Sequence, residues 1–193
     1  MPDTLQVRVA ERVPMAQIWA WQRDGAGETD YDCVRLQLDE TGHVMTPIDG
    51  HSVVAPEDQA EWSLPVVSGI NLGKLKTLAP GRPAGLPKLR AALGLIGEFR
   101  RSPLSGTVDL RVIDLSQPRI LRVTTGDGGQ VDLSTERLPR QLNRWAGIQA
   151  HGQKFGLAIE TVDLSVTNNV PVRWMLSPTL AEDLRSGRKV ARK

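Results

Sequence analysis

Three histidines, His43, His51 and His151, are the side chains best suited by type to move protons or bind a metal near neutral pH. His43 and His51 bracket a Pro-Ile-Asp-Gly loop. Neither stands at a ligand spacing that recurs in metal sites, so solvated loop histidines are the plainer reading. The single cysteine, Cys33, excludes an internal disulfide and a paired-thiolate metal motif, and it reads as a small apolar residue within a strand. A serine nucleophile needs a Gly-x-Ser-x-Gly elbow and a histidine to activate it, and neither Ser68-Gly69 nor Ser105-Gly106 has that frame. Gly126-Asp127-Gly128-Gly129 could suggest a phosphate loop. No helix N-terminus follows it to supply amides and a dipole, so it reads as a hairpin turn. The carboxylate pairs Asp30/Asp32 and Glu57/Asp58 fall in polar loops, where solvation is the default. Trp19, Trp21, Trp62, Trp145 and Trp174 are dispersed, without the interleaved basic residues of a base-stacking platform. No residue is therefore assigned a catalytic, cofactor-binding or metal-binding role. An enzyme reading would need a deep polar pocket joining His43 or His51 to an acid.

The totals agree with an ordinary folded protein and argue against wholesale disorder. The 193 residues suffice for one full domain with its own core, and 40% apolar with 24% charged residues is ordinary for such a domain. A net charge of +2 asks for no nucleic-acid partner. The basic surplus is local: Arg185, Arg188, Lys189, Arg192 and Lys193 crowd the C-terminus without an acid among them, as in a solvated, flexible tail. No apolar run approaches the ~20 residues of a membrane helix, and Met1 is not followed by a signal-peptide core.

The elements follow from periodicity and turn chemistry. Leu5, Val7 and Val9 alternate with Gln6, Arg8 and Ala10, which predicts a strand at the very start. Domains seldom begin in mid-sheet, so the expectation is a fragment whose preceding elements lie upstream. A second strand-like run spans Met15 to Trp21, followed by a Gly/Asp-rich turn over 24–30. Cys33–Leu38 and Val44–Thr46 read as a hairpin with Gly42 at the tight position. Residues 47–61 are polar and turn-rich, Leu64–Gly69 is short and extended, and Pro80–Pro83 is a loop. Pro87 opens a helix whose apolar face holds Leu89, Leu93, Leu95, Ile96 and Phe99. Strands are expected over 107–115, 119–125 and 130–134. A second helix is expected to start at Ser134 or Thr135 as N-cap and to bury Leu138, Leu142, Trp145 and Ile148. Ile159–Val166 and Val170–Leu176 form a last hairpin about Thr167-Asn168-Asn169. The expected class is α+β, a mostly antiparallel sheet with two main helices packed on it.

Several of these stretches, in order, resemble the FtsQ/DivIB family of bacterial cell-division proteins. Val7 to Ala16, with its Glu-Arg-x-Pro-x-Ala step, looks like the strand closing that family's POTRA domain and leading into its β domain. Leu38-Asp39-Glu40-Thr41-Gly42-His43-Val44 is similar to its Asp-x-x-Gly hairpin, and Leu64–Gly69 to its Leu-Pro-x-x-x-Gly segment. Val112–Leu115 and Leu121–Val131 resemble the central hairpin, and Arg137–Ile148 the second helix. Thr161–Leu164 with Val170–Trp174 resembles the last two strands. The resemblance implies three parts: residues 1–12, the terminal strand of a truncated POTRA domain; 13–178, the β domain; and 179–193, the basic flexible tail. It implies a single-pass inner-membrane protein with this region on the periplasmic side at the division septum, held by an N-terminal anchor that this sequence lacks. It implies no enzymatic activity, no cofactor and no nucleic acid. The implied partners are FtsB-like and FtsL-like division proteins together with other divisome components. The alternative is another membrane-associated POTRA/β scaffold, of an envelope assembly or secretion system.

The last strand, Val170 to Leu176, has no later strand-forming run to pair with, so one of its edges is expected to be open. A partner segment adding a strand there would gain main-chain hydrogen bonds. The expected partner-binding residues are Val166, Asn168, Val170, Val172, Arg173 and Trp174, the last matching the family's edge-strand tryptophan. The competing expectation is that Trp174 only packs on the core while the basic tail covers the edge. Two departures stand out: Val166 where the family often has an aromatic residue, and Pro171, which lacks an amide donor. Either the Pro171 nitrogen faces away from a partner, or docking begins after it.

Overall fold

Leu121 and Val123 in one strand, and Val131 and Leu133 in the next, alternate with Arg122, Thr124 and Asp132, so a two-residue period separates a buried face from a half-exposed one. The computed structural model describes residues 12–23, 31–46, 64–75 and 78–177, with the backbone alone at 20–23, 31–34 and 72. Among these, nine strands form one sheet: β1 Pro14–Arg23, β2 Tyr31–Asp39, β3 Val44–Met45, β4 Val66–Ser68, β5 Leu110–Asp114, β6 Ile120–Thr125, β7 Gln130–Ser134, β8 Leu157–Asp163 and β9 Val172–Leu176. Their order is β3-β2-β1-β4-β5-β6-β7-β8-β9. The helices are α1 Leu72–Leu75, α2 Pro87–Arg100 and α3 Leu138–Lys154, and Pro103–Gly106 forms a short 3-10 turn.

The register aligns Leu36, Ile18, Val67, Ile113, Val123, Val131, Val162 and Val172 in a single row across eight strands. All but Val172 are buried. Helix α2 lays Leu89, Ala92, Leu93, Leu95, Ile96 and Phe99 onto this core, and α3 adds Leu138, Leu142 and Trp145. Phe99 and Trp145 join the helices, with ring centroids 5.9 Å apart. Each large apolar side chain so buried contributes about 1.5–3 kcal/mol, which makes this layer the main source of stability.

The class is α+β, and the sheet is mixed, with antiparallel pairing at most of its junctions. Pairs β1–β4, β4–β5 and β7–β8 are parallel, and the other five junctions are antiparallel. Two of the parallel pairs follow a return of the chain over the sheet, with α2 between β4 and β5 and α3 between β7 and β8. Two long helices cover the sheet as expected, with the single-turn α1 beside them. The second helix starts later than its sequence suggests. Ser134 ends β7, paired with Ile120, and its hydroxyl accepts the Glu136 amide at 3.2 Å. Arg137, with φ of 54°, is the residue before the first turn, and Gln141 ties that turn to the backbone of Ser134. The expected strand at the N-terminus, the turns over 24–30 and 47–61 (bar the backbone of neighbouring β2) and the tail from 178 lie outside the described residues, as does His51.

The hairpin of β2 and β3 behaves as its sequence predicts. Gly42 takes φ of 82°, which a side-chain-bearing residue rarely adopts, and its amide donates to the Asp39 carbonyl at 3.0 Å. Asp39 secures the turn. Its carboxylate accepts the Thr41 amide at 2.9 Å, the Thr41 hydroxyl at 2.7 Å, the His43 amide at 2.8 Å and the Arg12 guanidinium. Burial by itself would raise the Asp39 pKa, but these donors outweigh it and hold the group at about 2.

Candidate partner-binding edge

A sheet has two edges, and this one treats them differently. Along β3 the loop at 80–84 runs alongside. Val44 donates to the Arg82 carbonyl at 2.9 Å, Gly81 to the Val44 carbonyl at 2.8 Å and Ala84 to the Gly42 carbonyl at 2.9 Å. His43 forms a bridge to Pro83. The β3 edge is thereby covered. At the other end β9 pairs with β8, and no strand among the described residues pairs with its far side.

The direction of the β9 backbone groups follows from its bonds to β8. The Pro171 carbonyl accepts the Asp163 amide at 3.3 Å, and the Ser177 amide donates to the Gly156 carbonyl at 3.1 Å. The N–H and C=O of one strand residue point the same way and alternate along the chain. Residues 171, 173, 175 and 177 therefore face β8, while Val172, Trp174 and Leu176 turn their amides and carbonyls to the open side. The extra residue of the bulge, Glu160, lies in β8, so β9 stays regular. The nitrogen of Pro171 faces inward, and the open edge loses no donor to it.

The side chains divide between two faces. Val172 and Trp174 pack against the core on the helix side. Trp174 is half-buried, with its ring over α3 against Gly152, where an added Cβ would overlap it, and its centroid 6.3 Å from His151. Leu176, 50% exposed, and Phe155, 63% exposed at the end of α3, leave apolar surface near this strand's end. On the opposite face Arg173 reaches Glu160 at 3.6 Å, an exposed pair that contributes little to stability.

The predicted binding residues split accordingly. Val172, Arg173 and Trp174 lie in β9, whereas Val166, Asn168 and Val170 lie in the loop between β8 and β9, which is longer than the expected turn. The strands stop early because Asp163 turns its carboxylate onto the Ser165 amide at 2.9 Å and hydroxyl at 2.6 Å. Asn169 supplies a left-handed residue with φ of 50°. Sequence reasoning did not single out Gly152 or Arg144, whose guanidinium bonds this loop. A glycine late in a helical pattern was the available sign for the first. Nothing local marks the second.

On the chemical side, His43 Nδ1 lies 2.7 Å from the Thr41 hydroxyl and 3.8 Å from Asp39 Oδ2. That carboxylate is saturated with donors and strongly acidic, which suits it to locking a hairpin and makes it a poor base. Among the described residues no three metal-ligating side chains converge.

The profile of the family described as "Cell division protein FtsQ/DivIB, C-terminal" matches residues 31–165, more than half of the chain. This chain belongs to the FtsQ/DivIB family. Members of the family are membrane-anchored, non-enzymatic division scaffolds with an extracytoplasmic domain. The FtsQ/DivIB match takes in the sheet from β2 to β8 together with all three helices, and it ends one residue before Val166. No curated protein matches the sequence. No helix among the described residues is long and apolar enough to cross a membrane.

Proposed function

We propose that this chain acts at the division septum as an assembly module, and that the open side of β9 receives an extended segment of an FtsB-like or FtsL-like partner. The observation that carries this reading is the asymmetry of the sheet, whose β3 edge is covered by its own loop while β9 turns three residues' worth of backbone groups outward. Such groups are costly to leave unpaired away from water and are a ready template for a further strand. A strand added there gains main-chain bonds at Val172, Trp174 and Leu176, and Trp174 supplies the aromatic anchor beside them. Val166, Asn168 and Val170 border the same edge from the loop. In this reading residues 1–12 close a POTRA domain, 13–178 are the β domain, and an anchor upstream holds both at the extracytoplasmic face of the inner membrane.

The test is calorimetric binding of the chain to the extracytoplasmic segments of its own organism's FtsB and FtsL. Trp174→Ala and Val172→Lys serve as variants. The expected result is saturable binding that each substitution weakens tenfold or more while the circular dichroism spectrum holds. Absent binding, or binding indifferent to both changes, overturns the assignment of this edge.

A further inference from the structure

Resting on that reading, we propose that Arg144 is a positioning residue for the partner-binding edge, holding the β8–β9 loop in the shape that presents it. Three of the six proposed contact residues, Val166, Asn168 and Val170, ride on this loop. Its base is tied to the sheet: Leu164 donates to the Asp132 carbonyl at 2.8 Å and Asp163 to the Pro171 carbonyl at 3.3 Å. Among the described residues, the tip from 166 to 170 receives hydrogen bonds from Arg144 alone. One guanidinium nitrogen lies 3.1 Å from the Val166 carbonyl and the other 3.0 Å from that of Thr167.

The geometry explains why a guanidinium stands there. In an extended strand consecutive carbonyls point to opposite sides, so one flat donor group cannot serve both. By bonding two neighbouring carbonyls, Arg144 selects a bent backbone at 166–167. It thereby keeps β8 from running on, and it fixes where the chain turns back into β9. Its anchor is firm, because Arg144 stems from the middle of α3, one residue before Trp145, which is 1% exposed. An ammonium is a single compact donor centre and cannot span both carbonyls with the same planar fork. A loop ordered before binding does not have to be ordered by the partner, so losing the clamp should cost affinity without touching any contact.

The experiment uses the whole chain with Arg144→Ala and Arg144→Lys. Without partner, backbone 15N relaxation should show residues 166–170 rigid in the parent, with order parameters of about 0.85, and mobile in Arg144→Ala, at about 0.6 or less. Arg144→Lys should fall between them. Binding to the same FtsB and FtsL segments should weaken about tenfold in Arg144→Ala, mainly through a slower association rate, with partial rescue in Arg144→Lys. Unchanged loop order in Arg144→Ala overturns the clamp. A mobile loop with unchanged affinity overturns its positioning role. If the parent itself fails to bind, the partner reading falls, and the relaxation data alone decide whether Arg144 orders the loop.

Discussion

Arg12 places its guanidinium on the carboxylate of Asp39, 27 residues further along the chain. The pair joins two short patterns that look unrelated in the sequence, the Glu-Arg-x-Pro step before β1 and the Asp-x-x-Gly turn after β2. The entry into the domain is thus tied to its first hairpin by one buried acid, whose side chain is 6% exposed.

This arrangement gives a pH dependence with a definite sign. The Asp39 pKa falls from 3.8 to about 2 on folding, so its contribution is complete above pH 4 and is lost as pH falls from 4 towards 2. That drop corresponds to about 2 kcal/mol. Urea unfolding at pH 7 should show Asp39→Asn destabilised by about that amount, and the gap to the parent should close near pH 2. A gap independent of pH would contradict the ionic account.

Gly152 lies under the Trp174 ring, and no room remains there for a methyl group. Gly152→Ala should push the ring off α3 and lower stability by about 1–3 kcal/mol, the usual range for overpacking. The indole N–H resonance of Trp174 should move while that of Trp145 stays. An unshifted Trp174 signal would mean that the ring does not sit where it is described.

Val172→Pro separates main-chain pairing from side-chain docking. Proline there removes a donor from the open side and none from the bonds to β8, in contrast to the natural Pro171. The melting temperature should change by only a few degrees, about 1 kcal/mol or less. Affinity for the FtsB and FtsL segments should fall about tenfold or more, the value of roughly one hydrogen bond. Unaltered affinity would show that the partner does not pair at this amide.

Arg122 lies in one cross-sheet row with Asp114, Asp132 and Asp163, and bonds Asp132 through two nitrogens at 2.8 Å each. Its pKa is raised, first by the Asp132 hydrogen bonds and charge, then by Asp114 and Asp163. Arg122→Gln takes the counter-charge from Asp132 and leaves it in one row with two further acids, Asp114 and Asp163. Because Arg122 is about one-third exposed, the loss should be modest, about 1 kcal/mol in chemical denaturation, and smaller at 1 M salt.

Much of this fold is legible in the residues because local chemistry decides it. Pro87 and the apolar spacing after it define α2, Gly42 defines the first hairpin, and the alternation through 121–133 defines the central one. The parallel pairs are not legible, because Val66–Ser68 has the same local pattern whichever neighbour it meets, and its place between β1 and β5 depends on the rest of the sheet. The start of α3 misleads for a related reason: Ser134 is a good cap by type, yet sheet pairing with Ile120 claims it first. At the candidate site, the pairing of β8 with β9 is legible from the apolar runs on either side of Thr167-Asn168-Asn169. The clamp of Arg144 on Val166 and Thr167 is not, since it joins a helix surface to a loop through space.

The covered β3 edge has a bearing on the chain's behaviour when it is crowded at high local concentration. Fibrous growth of a sheet requires two reactive ends on every unit, so that each added copy offers a fresh end to the next. At β3 that second end is already bonded to the chain's own loop over 80–84. Two copies meeting β9 to β9 would form a two-fold pair whose outer β3 strands offer no template to a third copy.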